Sequence, residues 1–208
     1  HGDSTMSSIL KVDNLQTGAG ATHSLSSLGV TGPGTVLQQI YGVCDGRTVS
    51  GVTFQNVTTH QDLTTSFADI TGSTVSYTPP AGTTTVVYTF SFHHKGVDNG
   101  GISHYQFNID GNDVDNYRRT MAGQHGNDHH VDRFVLEFPI LIDSSIASDD
   151  FVNLKLKSWT SARTLKMRAR EYNSSYDARL HHNNWWAGSG ASGTDALSIP
   201  TLSIKAMA

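Results

Sequence analysis

Cysteine is almost absent. Cys44 stands alone in 208 residues, so no intrachain disulfide is available and stability must come from packing or from assembly. Glutamate is nearly as scarce, with only Glu137 and Glu171. Charged residues are 15% of the chain and the net charge is −4, which leaves no general electrostatic footprint for nucleic acid. No apolar run approaches the roughly 18 residues that a membrane helix needs, no signal peptide is visible, and no long amphipathic helix can be read. The usual enzyme signatures are missing too: there is no Gly-x-Ser-x-Gly, no His-Glu-x-x-His and no phosphate-binding glycine loop. A carboxylate pair for glycoside hydrolysis could still be assembled from aspartates, so the motif search alone does not exclude an enzyme.

What is present is glycine, threonine and serine, with valine, tyrosine and phenylalanine in short alternating runs. That composition favours strands and turns. Residues 1–5 read as a tag remnant before Met6, residues 6–34 as an N-terminal attachment arm too small and polar to fold alone, and residues 35–208 as one head domain. The head opens with a strand over 36–43 and continues with strands over 64–70 and 75–78. Its clearest strand is 85–92, where Val86, Tyr88, Phe90 and Phe92 share one face. Further faces are Ser103, Tyr105, Phe107 and Ile109, then Phe134, Leu136, Phe138, Ile140 and Ile142, with Pro139 marking an edge or a bulge. Val152, Leu154 and Leu156 give another; Leu165, Met167 and Ala169 the next; and 197–207 the last, broken in phase at Pro200. Eight or nine short strands without a helix predict an all-β antiparallel sandwich with jelly-roll or Greek-key connections. The long loops, 95–101, 120–132 and 173–195, hold the unusual residues.

Four clusters carry candidate chemistry. Trp185 and Trp186 follow His181, His182, Asn183 and Asn184, with Tyr176 and Arg179 just upstream. Indole faces stack on sugars while amides and imidazoles bond the hydroxyls, so His181, Asn183, Asn184, Trp185, Trp186, Tyr176 and Arg179 form the candidate glycan site. The other reading places one indole in the core. His125, His129 and His130 lie with Asp128 and Asp132 in one loop, a ligand set for a divalent transition metal; the competing reading is exposed histidine in a polar loop. No other cofactor is implied. Asp110, Asn112, Asp113 and Asp115 offer oxygen ligands for calcium or ordinary hairpin chemistry. Lys166, Arg168 and Arg170 make a basic strand face, for an anionic ligand or for acidic residues of neighbouring strands.

Several fragments resemble the C-terminal head domains of tailed-phage fibre proteins, especially those of marine phages. Gly34-Thr-Val-Leu-Gln-Gln is similar to that family's Gly-Lys-Val-Leu-Gln-Val opening strand. Leu63-Thr-Thr-Ser-Phe-Ala-Asp-Ile-Thr-Gly72, followed by Val75-Ser-Tyr-Thr-Pro-Pro-Ala-Gly-Thr83, is similar to its Ser-Tyr-Thr-Asp and Val-Ser-Ile-Thr-Pro pattern. Pro200-Thr-Leu-Ser-Ile-Lys resembles its closing strand, and Ser8 to Thr17 resembles an N-terminal segment of marine phage structural proteins. Residues 95–195 carry no resemblance. The resemblance implies a homotrimer with a jelly-roll head like those of tumour-necrosis-factor and C1q, placed on the virion as a tail fibre or capsid fibre. It implies that the arm meets other virion proteins and the head meets a host surface glycan. The rivals are a capsid decoration protein with no specific receptor and a polysaccharide depolymerase.

Overall fold

A computed structural model describes residues 32–97, 99–122, 131–185 and 194–208, together with two short strands nearer the N-terminus. Those two, β1 (Asn14–Gln16) and β2 (Thr22–Ser24), pair antiparallel within the predicted arm. The chain then runs β3 (Val36–Val43), β4 (Thr48–Val49), β5 (Val52–Thr53), β6 (Gln61–Asp62), β7 (Ala68–Asp69) and β8 (Val75–Tyr77). It continues with β9 (Thr85–Gly96), β10 (Ile102–Ile109), β11 (Asn112–Asp113), β12 (Arg119–Ala122), β13 (Val131–Ile142) and β14 (Lys155–Leu156). The last five strands are β15 (Arg163–Glu171), β16 (Ala178–Leu180), β17 (His182–Trp185), β18 (Thr194–Leu197) and β19 (Thr201–Met207). Among the described residues, helix is limited to 3-10 turns at Asp115–Tyr117 and Phe151–Asn153. The protein is all-β, and its pairings are antiparallel apart from β13 with β14.

β9 is the spine of the larger sheet. One edge pairs with β13 from Thr85 to Lys95. The other edge is shared: β19 covers Thr85–Ser91, with β3 beyond it, and β16 covers His94–Gly96, with β6 beyond that. The second sheet centres on β10 and β15, which pair from Ser103–Glu171 to Ile109–Leu165. β11 and β12 take the outer edge of β10, and β7 and β8 that of β15. The sheets face each other across aromatic rings. Phe107 lies on Phe138 at 4.6 Å, nearly parallel, and Tyr88 sits 4.9 Å from Phe107. Phe92 meets Tyr105 at 5.4 Å. These are the inward positions that alternation predicts. Each buried ring contributes on the order of 2–3 kcal/mol of transfer free energy. Inside, the Tyr88 hydroxyl donates to Ser73 O, and the Ser73 hydroxyl donates to Ile70 O while accepting from Met167 N. The Cys44 thiol donates to Gly72 O, and burial pushes it up to about 12, so it is a packed side chain and not a nucleophile.

The strands predicted at 36–43, 85–92 and 75–78 stand as β3, β9 and β8, with β9 four residues longer. Among the described residues, Pro139 sits where β13 has β9 on one side only. Leu141, two residues on, sends its N–H away from β9 to Leu154 O, so Pro139 lacks a donor only on the open side. Two expectations need correcting. Residues 152–156 are a 3-10 turn followed by a two-residue strand, because Asp150 caps the turn through Asn153 N, Leu154 takes a left-handed conformation (φ 56°) and Val152 is exposed. Residues 64–70 hold only β7, because the Gln61 side chain stands in for a neighbouring strand: it donates to Asp69 O at 2.9 Å and accepts from Thr71 N at 2.8 Å.

Truncating Phe107 to Ala should remove the ring that bridges both sheets and lower unfolding free energy by about 3–5 kcal/mol, read from urea melts followed by near-ultraviolet circular dichroism.

Candidate functional site

The histidine-rich end of the larger sheet gathers most of the predicted residues. The reason is topological: β16 leaves β9 at Leu180, and His181 turns the chain in a left-handed conformation (φ 60°) into the β17–β18 hairpin. Ser198 N then bonds back to His181 O, and His181 N bonds to His93 O. Three segments far apart in sequence therefore meet at the middle of β9.

The predicted glycan residues do not share one surface. His181 is a correction, because its side chain is closed to solvent between Phe90 and Phe92. Its Nε2 lies 2.9 Å from Thr71 O, and burial lowers the imidazole to about 4, so the ring is neutral near pH 7. Asn184 is also buried: its Oδ1 is 3.0 Å from His182 Nε2 and accepts from Lys95 Nζ at 3.2 Å. Arg179 lies on the outer face, ion-paired with Asp62 of β6. Tyr176 packs edge-on against Tyr172 at 5.7 Å, and Asn183 is half-buried on β17. Trp185 ends β17 opposite Thr194. Trp186, and the metal candidates His125, His129 and His130, lie outside the described residues. Among the described residues no three His, Cys, Asp or Glu side chains are grouped as metal ligands.

The carboxylates of the 110–115 turn point to partners within the protein. Asp110 and Gly111 both adopt positive φ, as a two-residue hairpin turn requires, and Asp110 accepts from Thr164 N at 2.7 Å. Asp113 meets Asn108 and Arg168, and Asp115 meets Gln106 and Arg118. Hairpin chemistry and ion pairing account for them. Of the basic face of β15, Lys166 reaches Asp69 at 2.8 Å and Arg168 reaches Asp113 at 3.2 Å, while Arg170 donates to the carbonyl oxygens of Glu171 and Tyr172.

Three clefts flank these elements. The largest, about 550 Å³, lies between the 79–84 turn and Trp159, whose indole N–H donates inward to Tyr77 O. A cleft of about 290 Å³ is walled by Asp62, Glu171, Asp177 and Arg179; burial, then Asp177, raises the Glu171 carboxyl, which the Ala178 N–H bonds. The third, about 300 Å³, is formed by Ser91, His93, Arg133, Ser198, Ile199 and Thr201 together with Phe92. There the His93 ring bonds Ser198 Oγ through a short contact at Nδ1, and Arg133 Nε donates to Ser91 Oγ at 2.9 Å. Burial, then Arg133, holds His93 below its ordinary value. No carboxylate among the described residues bonds His93, so the pair lacks the third group that orients a catalytic base. Sequence reasoning missed this cleft because its residues come from β9, β13 and the β18–β19 link. The one signal was the strand list itself, which could not give strand order. Against protein-family models and curated proteins the chain has no match.

The depressed His181 value has a signed consequence. Unfolding returns the ring to about 6.5, so the unfolded chain binds the extra proton first and the neutral ring's contribution, full above pH 6.5, is lost as pH falls from there to about 4. Between pH 7 and pH 5 this amounts to about 2 kcal/mol. His181→Asn, which tolerates the left-handed turn and does not titrate, should flatten that part of the pH dependence in urea titrations.

Proposed function

We propose that this chain is a virion fibre protein whose head, a jelly roll, assembles as a homotrimer and binds a glycan on the host surface. The observation that carries the reading is the contrast between the two outer sheet faces. On the β10–β15 sheet, Lys166, Arg168, Asp69, Asp113, Asp115 and Arg118 form a lattice of ion pairs, the pattern of a solvated surface. The outer face across β3, β19, β9 and β13 is different. Its rows read Tyr41, Ser203, Thr89 and Glu137, then Val43, Thr201, Ser91 and Val135. Toward the other end come Gln39, Lys205, Val87 and Pro139. Tyr41 is 60% exposed and Val135 55%. Small hydroxyl and apolar side chains with little charge make a face suited to burial against copies of itself. A cyclic assembly supplies such a partner at no cost in new sequence, and three copies of a weak glycan site gain avidity.

The arm with its β1–β2 pair would attach the head to other virion proteins. Glycan contact is assigned to the β17–β18 hairpin, whose strand β17 ends at Trp185. The reading involves no catalytic step, no nucleic acid and no insertion into a membrane. No helix among the described residues is long and apolar enough to cross one.

Sedimentation equilibrium should give three times the 22.5 kDa chain mass. Tyr41→Asp combined with Val135→Asp should reduce it to one while leaving the far-ultraviolet spectrum unchanged. A wild-type monomer at micromolar concentration would remove the trimer from the reading. On a glycan array, Trp185→Ala should weaken the strongest signal about tenfold; an unaltered profile would exclude that hairpin.

A further inference from the structure

We infer that the cleft where β9, β13 and the start of β19 meet is a binding site for an acidic sugar, a monosaccharide unit carrying a carboxylate or a sulfate. It lies at the rim of the low-charge face. The last row spanning all four strands is Val43, Thr201, Ser91 and Val135; the next holds only His93 and Arg133, because β3 and β19 have ended there. The space left by β19 is crossed by Ser198 and Ile199.

Arg133 provides the charge. Its Nε is held by Ser91, and it makes no ion pair among the described residues, in contrast to the paired Lys166, Arg168 and Arg179. The held Nε aims the guanidinium while its two terminal nitrogens stay available, the fork that receives a carboxylate or sulfate in two parallel bonds. Asp132 projects to the opposite face by strand alternation, and Glu137 lies four residues along β13, where Thr89 bonds it. His93 gives its Nδ1 to Ser198, which leaves Nε2 as the ring nitrogen for a ligand hydroxyl.

The surroundings argue for a sugar rather than a bare ion. A volume of about 300 Å³ far exceeds a single anion and falls at the lower end of small-molecule sites. Ser91, Ser198 and Thr201 supply hydroxyls at its wall, and Ile199, 40% exposed, supplies an apolar surface for the C–H face of a pyranose. A phosphate cradle would instead converge several cations or backbone N–H groups on one point.

The inference deepens the glycan half of the proposed function and rests on it, though not on the trimer or on Trp185. Saturation-transfer NMR on the full chain would use methyl β-D-glucuronide, methyl β-D-glucoside and sodium sulfate as competitor. Glucuronide should give signal, glucoside should give at most a tenth of it, and sulfate should compete only in large molar excess. Arg133→Met should abolish the glucuronide signal, and Trp185→Ala should retain it. Equal binding of the neutral glucoside, or binding unchanged by Arg133→Met, would overturn the site. Sulfate competing as well as glucuronide would reduce it to an anion hole and overturn the sugar assignment. No glucuronide signal with array binding to other glycans intact would sink this site alone; no glycan bound at all would sink the glycan reading with it.

Discussion

The near-parallel stack of Phe107 on Phe138, flanked by Tyr88, is the contact that couples the two sheets. Neither sheet can bury its apolar face alone, and no disulfide helps. Every other arrangement follows from seating these rings. β9 must lie centrally to present Tyr88, Phe90 and Phe92 together, so it is flanked on both edges. Its twelve residues exceed what β19 can cover, which brings β16 onto the remaining edge. The seam between β19 and β16 is then the place where the chain must turn out of the sheet. His181 makes that turn, and the clefts on either side of it exist because the edge changes hands there.

Alternation made this core readable from the sequence. Val86 to Phe92, Tyr105 to Ile109 and Leu165 to Ala169 are buried on the predicted faces, since a period of two leaves little freedom once one face must be dry. What could not be read was anything decided by partners distant in sequence. Gln61 mimics a strand edge, and no local pattern announces that. His181 looked like a surface residue of a polar segment because its neighbours are Asn and Trp, yet the turn drives it between two phenylalanines. His93, Arg133 and Ser198 became a group only through register. The basic face of β15 was legible in kind, and its acidic partners came from the strands beside it.

The two outer faces differ in how their charge is met. On one, Lys166, Arg168 and Arg118 are paired with aspartates, while Arg170 and Arg119 bond backbone carbonyls. Among the described residues, the other leaves the Arg133 guanidinium without an ion pair at its rim and tyrosine and valine in the open. Under the proposed function, contact between copies and recognition of a ligand would occupy one side of the molecule without competing, because the polar cleft starts where the four-strand rows stop.

Pro139 has a further effect. β13 has an unpaired margin over most of its length, and a row of unmet donors and acceptors invites another chain to add a strand there. With the imide nitrogen near one end of that margin and Glu137 and Arg133 along the same strand, an incoming strand would lose a ladder bond and meet charge. Strand addition, and with it lateral growth into fibrils, is blunted at that margin.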